Sequence, residues 1–137
     1  MSAKLTGGCA CGAVRYEISA APVVSAQCQC RDCQRATGTG HVDAMVFPRN
    51  AIAVTGDLKF HDRKGDSGHT VSRGFCPNCG APVLWRFARN PDVCGILAGS
   101  MDDASGFAPQ LVTYTSRGYA WDMLDPAVTK FDKMPPG

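Results

Sequence analysis

The sequence predicts an all-β domain with only minor helix. Three observations carry that prediction. Apolar and polar residues alternate around Val14, Tyr16 and Ile18, further apolar runs of strand length recur downstream, and 15 Gly and 9 Pro punctuate them. No long stretch sustains the 3.6-residue apolar period of an amphipathic helix.

The elements follow in chain order. Val14, Tyr16 and Ile18 interleave with Ala13, Arg15 and Glu17, as one half-buried strand requires. Residues 30–37 contain neither Gly nor Pro and are followed by Gly38, a C-terminal cap, so a short helix is expected there. Strand-length apolar runs follow at 44–47, 58–60, 83–87, 93–97 and 111–114. The charged stretch 61–69, with His61 and His69, reads as a solvated hairpin loop, 101–105 as a second turn, and 134–137 as a loose tail. The chain shows no internal repeat and no low-complexity linker, so 1–137 reads as one domain.

Composition narrows the function classes. With 45% hydrophobic and 19% charged residues, the chain has enough apolar material for a core and is not a disordered segment. A formal net charge of +2 argues for neither a nucleic-acid nor an anionic-membrane partner. No apolar run approaches the ~20 residues of a membrane span, and the opening MSAKLTGGCACG lacks a signal-peptide core. On these features the protein is expected in the cytoplasm, where clustered thiols bind metal more often than they pair as disulfides.

Seven of the eight cysteines fall into three clusters, Cys9-Ala-Cys11, Cys28-Gln-Cys30-Arg-Asp-Cys33 and Cys76-Pro-Asn-Cys79. A tetrahedral zinc takes four N or S ligands, and a Cys-x-x-Cys turn supplies two of them on one tight loop. Cys9, Cys11, Cys76 and Cys79 are the natural set for a structural zinc, because both pairs lie in glycine-rich turns whose N–H groups can approach sulfur. A redox dithiol at Cys76 and Cys79 is the competing reading, and no thioredoxin-like βαβ pattern accompanies it. Cys28, Cys30 and Cys33 form a three-thiolate set at the start of the short helix, with the fourth position left for water, a side chain or a substrate. Such a zinc can hold a soft thiolate or polarise a carbonyl. A closed structural site completed by His41, and a triplet without stable metal, stand as alternatives.

The runs GGCACGAVRYE, CQCRDCQRATGTG, RGFCPNCGAPV and LAGSMDD, with Trp121 after them, resemble the glutathione-dependent formaldehyde-activating enzyme family, which includes a centromere-protein-V branch. The resemblance extends from Gly8 to about Phe131. It implies an Mss4-like zinc fold of small antiparallel sheets, a structural zinc on Cys9, Cys11, Cys76 and Cys79, and a catalytic zinc on Cys28, Cys30 and Cys33. The reaction it implies is a carbon–sulfur lyase type, condensing glutathione with formaldehyde to S-hydroxymethylglutathione. This chain departs from the family at Gln29, where histidine is frequent, and glutamine does not titrate near neutral pH.

Other residues carry weaker signals. Arg31 and Arg35, one helical turn apart, are candidates for binding the carboxylates of a glutathione-like thiol, and Arg73 also lies near a cluster in sequence. Asp102 and Asp103 read as turn caps or arginine partners, Cys94 as an inert core thiol, His41 as a polar residue heading the next strand, and Trp121 as core or pocket wall. The leading function is therefore a zinc enzyme acting on a small thiol, such as glutathione, and a small aldehyde. A zinc-stabilised non-catalytic binding module or a thiol or metal sensor is the alternative. Exposed strand edges make a homodimer an open expectation.

Overall fold

The computed structural model describes residues 4–65 and 67–135. Strands β1 (Leu5–Gly8), β2 (Arg15–Ile18) and β5 (Ile52–Thr55) form a three-stranded antiparallel sheet in the order β1-β2-β5. An eight-stranded sheet is built from β3 (Val24–Cys28), β4 (Val42–Pro48), β6 (Lys59–Lys64), β7 (Thr70–Phe75), β8 (Pro82–Phe87), β9 (Val93–Leu97), β10 (Leu111–Thr113) and β11 (Thr129–Lys130). Its spatial order is β11-β10-β3-β4-β9-β8-β7-β6. All pairings in it are antiparallel except those of β10, which runs parallel to both β3 and β11, so the large sheet is mixed.

Among the described residues, the single α-helix, α1 (Arg31–Thr37), follows β3. Gly38 ends it at φ 74° and donates its N–H to the Gln34 carbonyl at 2.8 Å, the left-handed cap for which a residue without Cβ is suited. Among the described residues, no helix is long and apolar enough to cross a membrane.

Period-two burial separates the two faces of the large sheet. Registers Met45↔Ile96, Phe47↔Cys94 and Leu84↔Ile96 put these residues on one face. They pack with Val14, Tyr16 and Ile18 of the small-sheet layer in one buried cluster that also contains Cys9 and Cys76. The opposite face carries Cys28↔Val42, Ala44↔Leu97 and Trp85↔Gly95. There Val42, Trp85 and Leu97 form a second buried cluster with Cys30, Cys33 and Tyr114. Tyr16 and Ile18 are each 1% exposed, as the alternating pattern requires.

The fold corrects several local expectations. Strands β1, β3, β5, β7 and β11 carry no long apolar run to signal them: β1 is half glycine, and β3 and β7 mix serine, glutamine or arginine with their apolar residues. Long-range pairing outweighs weak local preference in such segments. The charged stretch 61–69 is not all loop. Residues 61–64 belong to β6, an edge strand whose charges are the kind that discourages further pairing. The turn expected at 101–105 is displaced: a 3-10 turn spans Ala98–Ser100, Met101 bridges to Gly7, and the next turn closes from Phe107 N–H to the Ala104 carbonyl at 3.0 Å. Met134 is exposed, and the end of the expected tail, 136–137, lies outside the described residues.

Candidate functional site

The four cysteines of the first cluster converge from opposite parts of the chain. Cys9 and Cys11 lie in the turn after β1, and Cys76 and Cys79 in the turn between β7 and β8. Their four sulfurs lie within 4.8 Å of one another. The Cys9–Cys11 and Cys11–Cys76 sulfurs are 3.7 and 3.8 Å apart. Four thiolates around a tetrahedral ion at ~2.3 Å require sulfurs about 3.8 Å apart, whereas a disulfide requires about 2.05 Å. All eight cysteines are free. Backbone and side-chain donors already point at the sulfurs: Val14 N–H to Cys9 at 3.2 Å, Cys79 N–H to Cys76 at 3.5 Å and Asn78 Nδ2 to Cys11 at 3.3 Å. The Val14 N–H holds the Cys9 thiol at about 6, and the Ala81 N–H lowers that of Cys79. This donor set fits a metal ion.

The second cluster is local. Cys28 ends β3, Cys30 caps α1 with its sulfur accepting the Cys33 N–H at 3.2 Å, and Cys33 sits in the helix's first turn. Their sulfurs also lie within 4.8 Å of one another, and no His, Cys, Asp or Glu among the described residues joins them. Hydrogen bonds from Cys30, then Cys33, hold the Cys28 thiol at about 3, while sharing with Cys28 pushes Cys30 and Cys33 up. One thiolate is therefore easily formed in the triplet and stabilised by its two neighbours. Three convergent sulfurs can hold a metal ion with one position left over.

His41 does not complete the triplet. It heads β4, as expected, and its ring lies between two carboxylates, with Nδ1 2.8 Å from Asp122 and Nε2 3.1 Å from Asp43. The hydrogen bond to Asp43, reinforced by that to Asp122, outweighs burial and raises His41 to about 9. Burial would raise Asp43, but His41 and Gln27 hold it low. Gln29, 2% exposed, is not aimed at open solvent. Its Nε2 donates to Asp122 Oδ2 at 2.9 Å, and its side chain leaves no room for a Cβ at Gly118. Asp122 thus ties the triplet's loop to His41. No motif announces it, because its partners are 81 and 93 positions away.

The two predicted arginines are placed on α1. Arg31 Nη1 donates to Gln34 Oε1, and the Gln34 amide donates to the carbonyls of Gln29 and Arg117 at 2.9 and 3.0 Å. Arg35 lies exposed in the last turn. A cavity of about 600 Å³ opens elsewhere, between Arg15, Asp102, Cys9, Thr37, His41 and Asp43, and neither arginine nor any triplet cysteine lines it. Asp102 pairs with Arg15 and accepts from Thr6, while Asp103 caps the Ser105 N–H. Cys94 is buried, and burial pushes its thiol up, as a core thiol requires. Trp121 is neither core nor cavity wall: it is 66% exposed and stacks on Tyr119 at 5.4 Å between ring centroids. The chain segment around it offers no buried strand against which to pack.

The fold and these two clusters define a β-rich protein with one four-cysteine and one three-cysteine centre, each able to hold a metal ion. Residues 4–117 match the model of the family described as glutathione-dependent formaldehyde-activating enzyme, and the chain belongs to that family. A solved crystal structure of a Rhodobacter sphaeroides protein is similar in fold, with a TM-score of 0.59 and 19% identity over 92% of this chain and 98% of that one.

Proposed function

We propose that this protein is a zinc-dependent enzyme of the carbon–sulfur lyase type that joins glutathione, or a related small thiol, to formaldehyde or another small aldehyde. The observation that carries this reading is the triplet: three sulfurs converge with no fourth protein ligand beside them among the described residues, in a family described by glutathione and formaldehyde. Cys9, Cys11, Cys76 and Cys79 would hold a structural zinc, and Cys28, Cys30 and Cys33 a second one. When bound at the triplet, zinc supplies a soft Lewis acid for a thiolate or a carbonyl oxygen.

The chain's own residues supply position. The addition forms one C–S bond, opens the carbonyl π bond and moves one proton from sulfur to oxygen, with no oxidant or reductant. Trp85, Leu97 and Tyr114 bury the inner side of the triplet and keep water from it. Gln29 carries no titratable proton, so it fixes Asp122 and the Cys28–Cys30 turn rather than exchanging a proton. Arg35, exposed on the same helix, is available to one carboxylate of the thiol, and Arg31 braces Gln34 behind the triplet. Aldehydes add thiols readily, so positioning is the larger part of what the enzyme must contribute. The reading includes residues 1–137 as one cytoplasmic domain.

The test is zinc per chain before and after dialysis against glutathione, with the rate of S-hydroxymethylglutathione formation measured beside it. Two zincs, one of them released or perturbed by glutathione, together with an accelerated rate, support the enzyme. Two inert zincs and no acceleration favour a zinc-stabilised binding module. The observation on that side is the exposed Tyr119–Trp121 stack with Met123 beside it in sequence, 85% exposed.

A further inference from the structure

Arg73 and Trp85 are cross-strand partners on β7 and β8, on the same sheet face as Cys28. The guanidinium carbon of Arg73 stands 4.5 Å from the centroid of the Trp85 ring. Trp85 is 3% exposed and belongs to the buried cluster of Cys30 and Cys33. Two buried donors are left over in this pair: Trp85 Nε1 and Arg73 Nε have no hydrogen-bond partner among the described residues. Buried N–H groups are nearly always paired, so each such exception requires an explanation.

The identity of the two groups limits what is missing. Indole and guanidinium nitrogens donate and do not accept, so neither can satisfy the other. What completes the pair is an acceptor, and beside a permanently charged guanidinium the best acceptor is an anion. Three other arginines are already engaged: Arg15 pairs with Asp102, Arg63 pairs with Asp32, and Arg86 lies over the Phe60 ring. Arg73 has the Trp85 ring and no carboxylate among the described residues. Arg73 is half-buried, so the pair borders the surface on that side, while the Phe87 ring packs over Gly95, the residue paired with Trp85 on β9.

We propose that Arg73 and Trp85 form a carboxylate-binding subsite on the triplet's face of the sheet, which takes one carboxylate of a small peptide-like thiol. The choice of a thiol rests on the proposed activity; the choice of a carboxylate rests on the two unpaired donors. Arg73 supplies the charge and Trp85 fixes the guanidinium plane and adds one directed N–H. A thiol without a carboxylate would meet the triplet and leave this pair unsatisfied, so the pair selects among thiols.

The experiment titrates the metal-loaded protein with S-methylglutathione, which keeps both carboxylates of glutathione and has no free thiol. The Trp85 indole N–H resonance is followed and is identified by its loss in Trp85→Phe. The expected result is a saturable downfield shift, weakened about tenfold or more in Arg73→Met, and absent with the diethyl ester of the same compound. Trp85→Phe, which keeps an aromatic ring and removes the donor, should weaken binding measured by calorimetry without changing metal content. An indole resonance unmoved by ~10 mM ligand, or moved equally by acid and diester, overturns the subsite and assigns the two donors to buried water. This readout does not use the thiol or the reaction, so an inactive enzyme or an empty triplet would count against the proposed activity and leave the subsite standing.

Discussion

The two cysteine centres are assembled by opposite means. The first draws its sulfurs from turns 65 positions apart, leaves Cys11 and Cys79 exposed, and surrounds them with backbone N–H donors. The second takes three sulfurs from one short segment, places Cys30 and Cys33 in a buried cluster, and lets them hydrogen-bond mainly to one another. One centre brings distant pieces of chain together, so under the proposed function its absence is a folding problem. The other is presented by a sheet and helix that surround it, so under the proposed function its absence is a chemical problem. The two centres therefore differ in sequence separation and in the source of the hydrogen bonds to sulfur.

The largest effect should come from breaking the first centre. Cys79→Ser should lose the metal there and several kcal/mol of stability, seen as loss of the cooperative urea transition by circular dichroism. Cys30→Ser should keep that transition within roughly 1–2 kcal/mol of the parent while losing one metal and at least ~100-fold in condensation rate. Equal unfolding by both variants would erase the contrast between the centres.

Next in size is a core comparison. Phe47→Ala, on the face shared with Cys9 and Cys76, should cost about 3–5 kcal/mol, because the side chain is fully buried. The metal content of the triplet should be less affected than that of the first centre, as measured by metal analysis after partial chelation.

The smallest effect concerns His41, which braces the triplet's loop through Asp122. Its pKa is raised to about 9 from an ordinary 6.5, so its ion pairs stabilise the fold fully below pH ~6.5 and lose that contribution as pH rises through about 9. The urea midpoint of the metal-loaded protein should therefore fall over that window, and His41→Gln should flatten the fall. A parallel decline in both proteins would assign it to other groups.

Much of this contrast is legible in the sequence. The seven clustered cysteines, the β2 alternation and the Gly38 cap are local signals, and each appears where the spacing puts it. What stays hidden is long-range. Asp122 has no motif, yet it joins Gln29 to His41 across 93 and 81 positions. Glycine-rich β1 and serine-bearing β3 become strands only because partners pair with them. Trp121 shows the opposite failure: a large apolar residue suggests burial, but it lies in a segment with no sheet to cover it and stacks on Tyr119 instead.

The parallel seat of β10 beside β3 has a consequence in time. Cys28, Cys30 and Cys33 leave the ribosome almost together, whereas the strand that flanks Cys28 is translated about eighty residues later, at Leu111–Thr113. Closing so long a loop is slow and entropically costly before its contacts form. A nascent chain therefore exposes the three triplet thiols well before the sheet that shelters them is complete, and the interval between the two is when oxidation or a wrong metal would do the most harm.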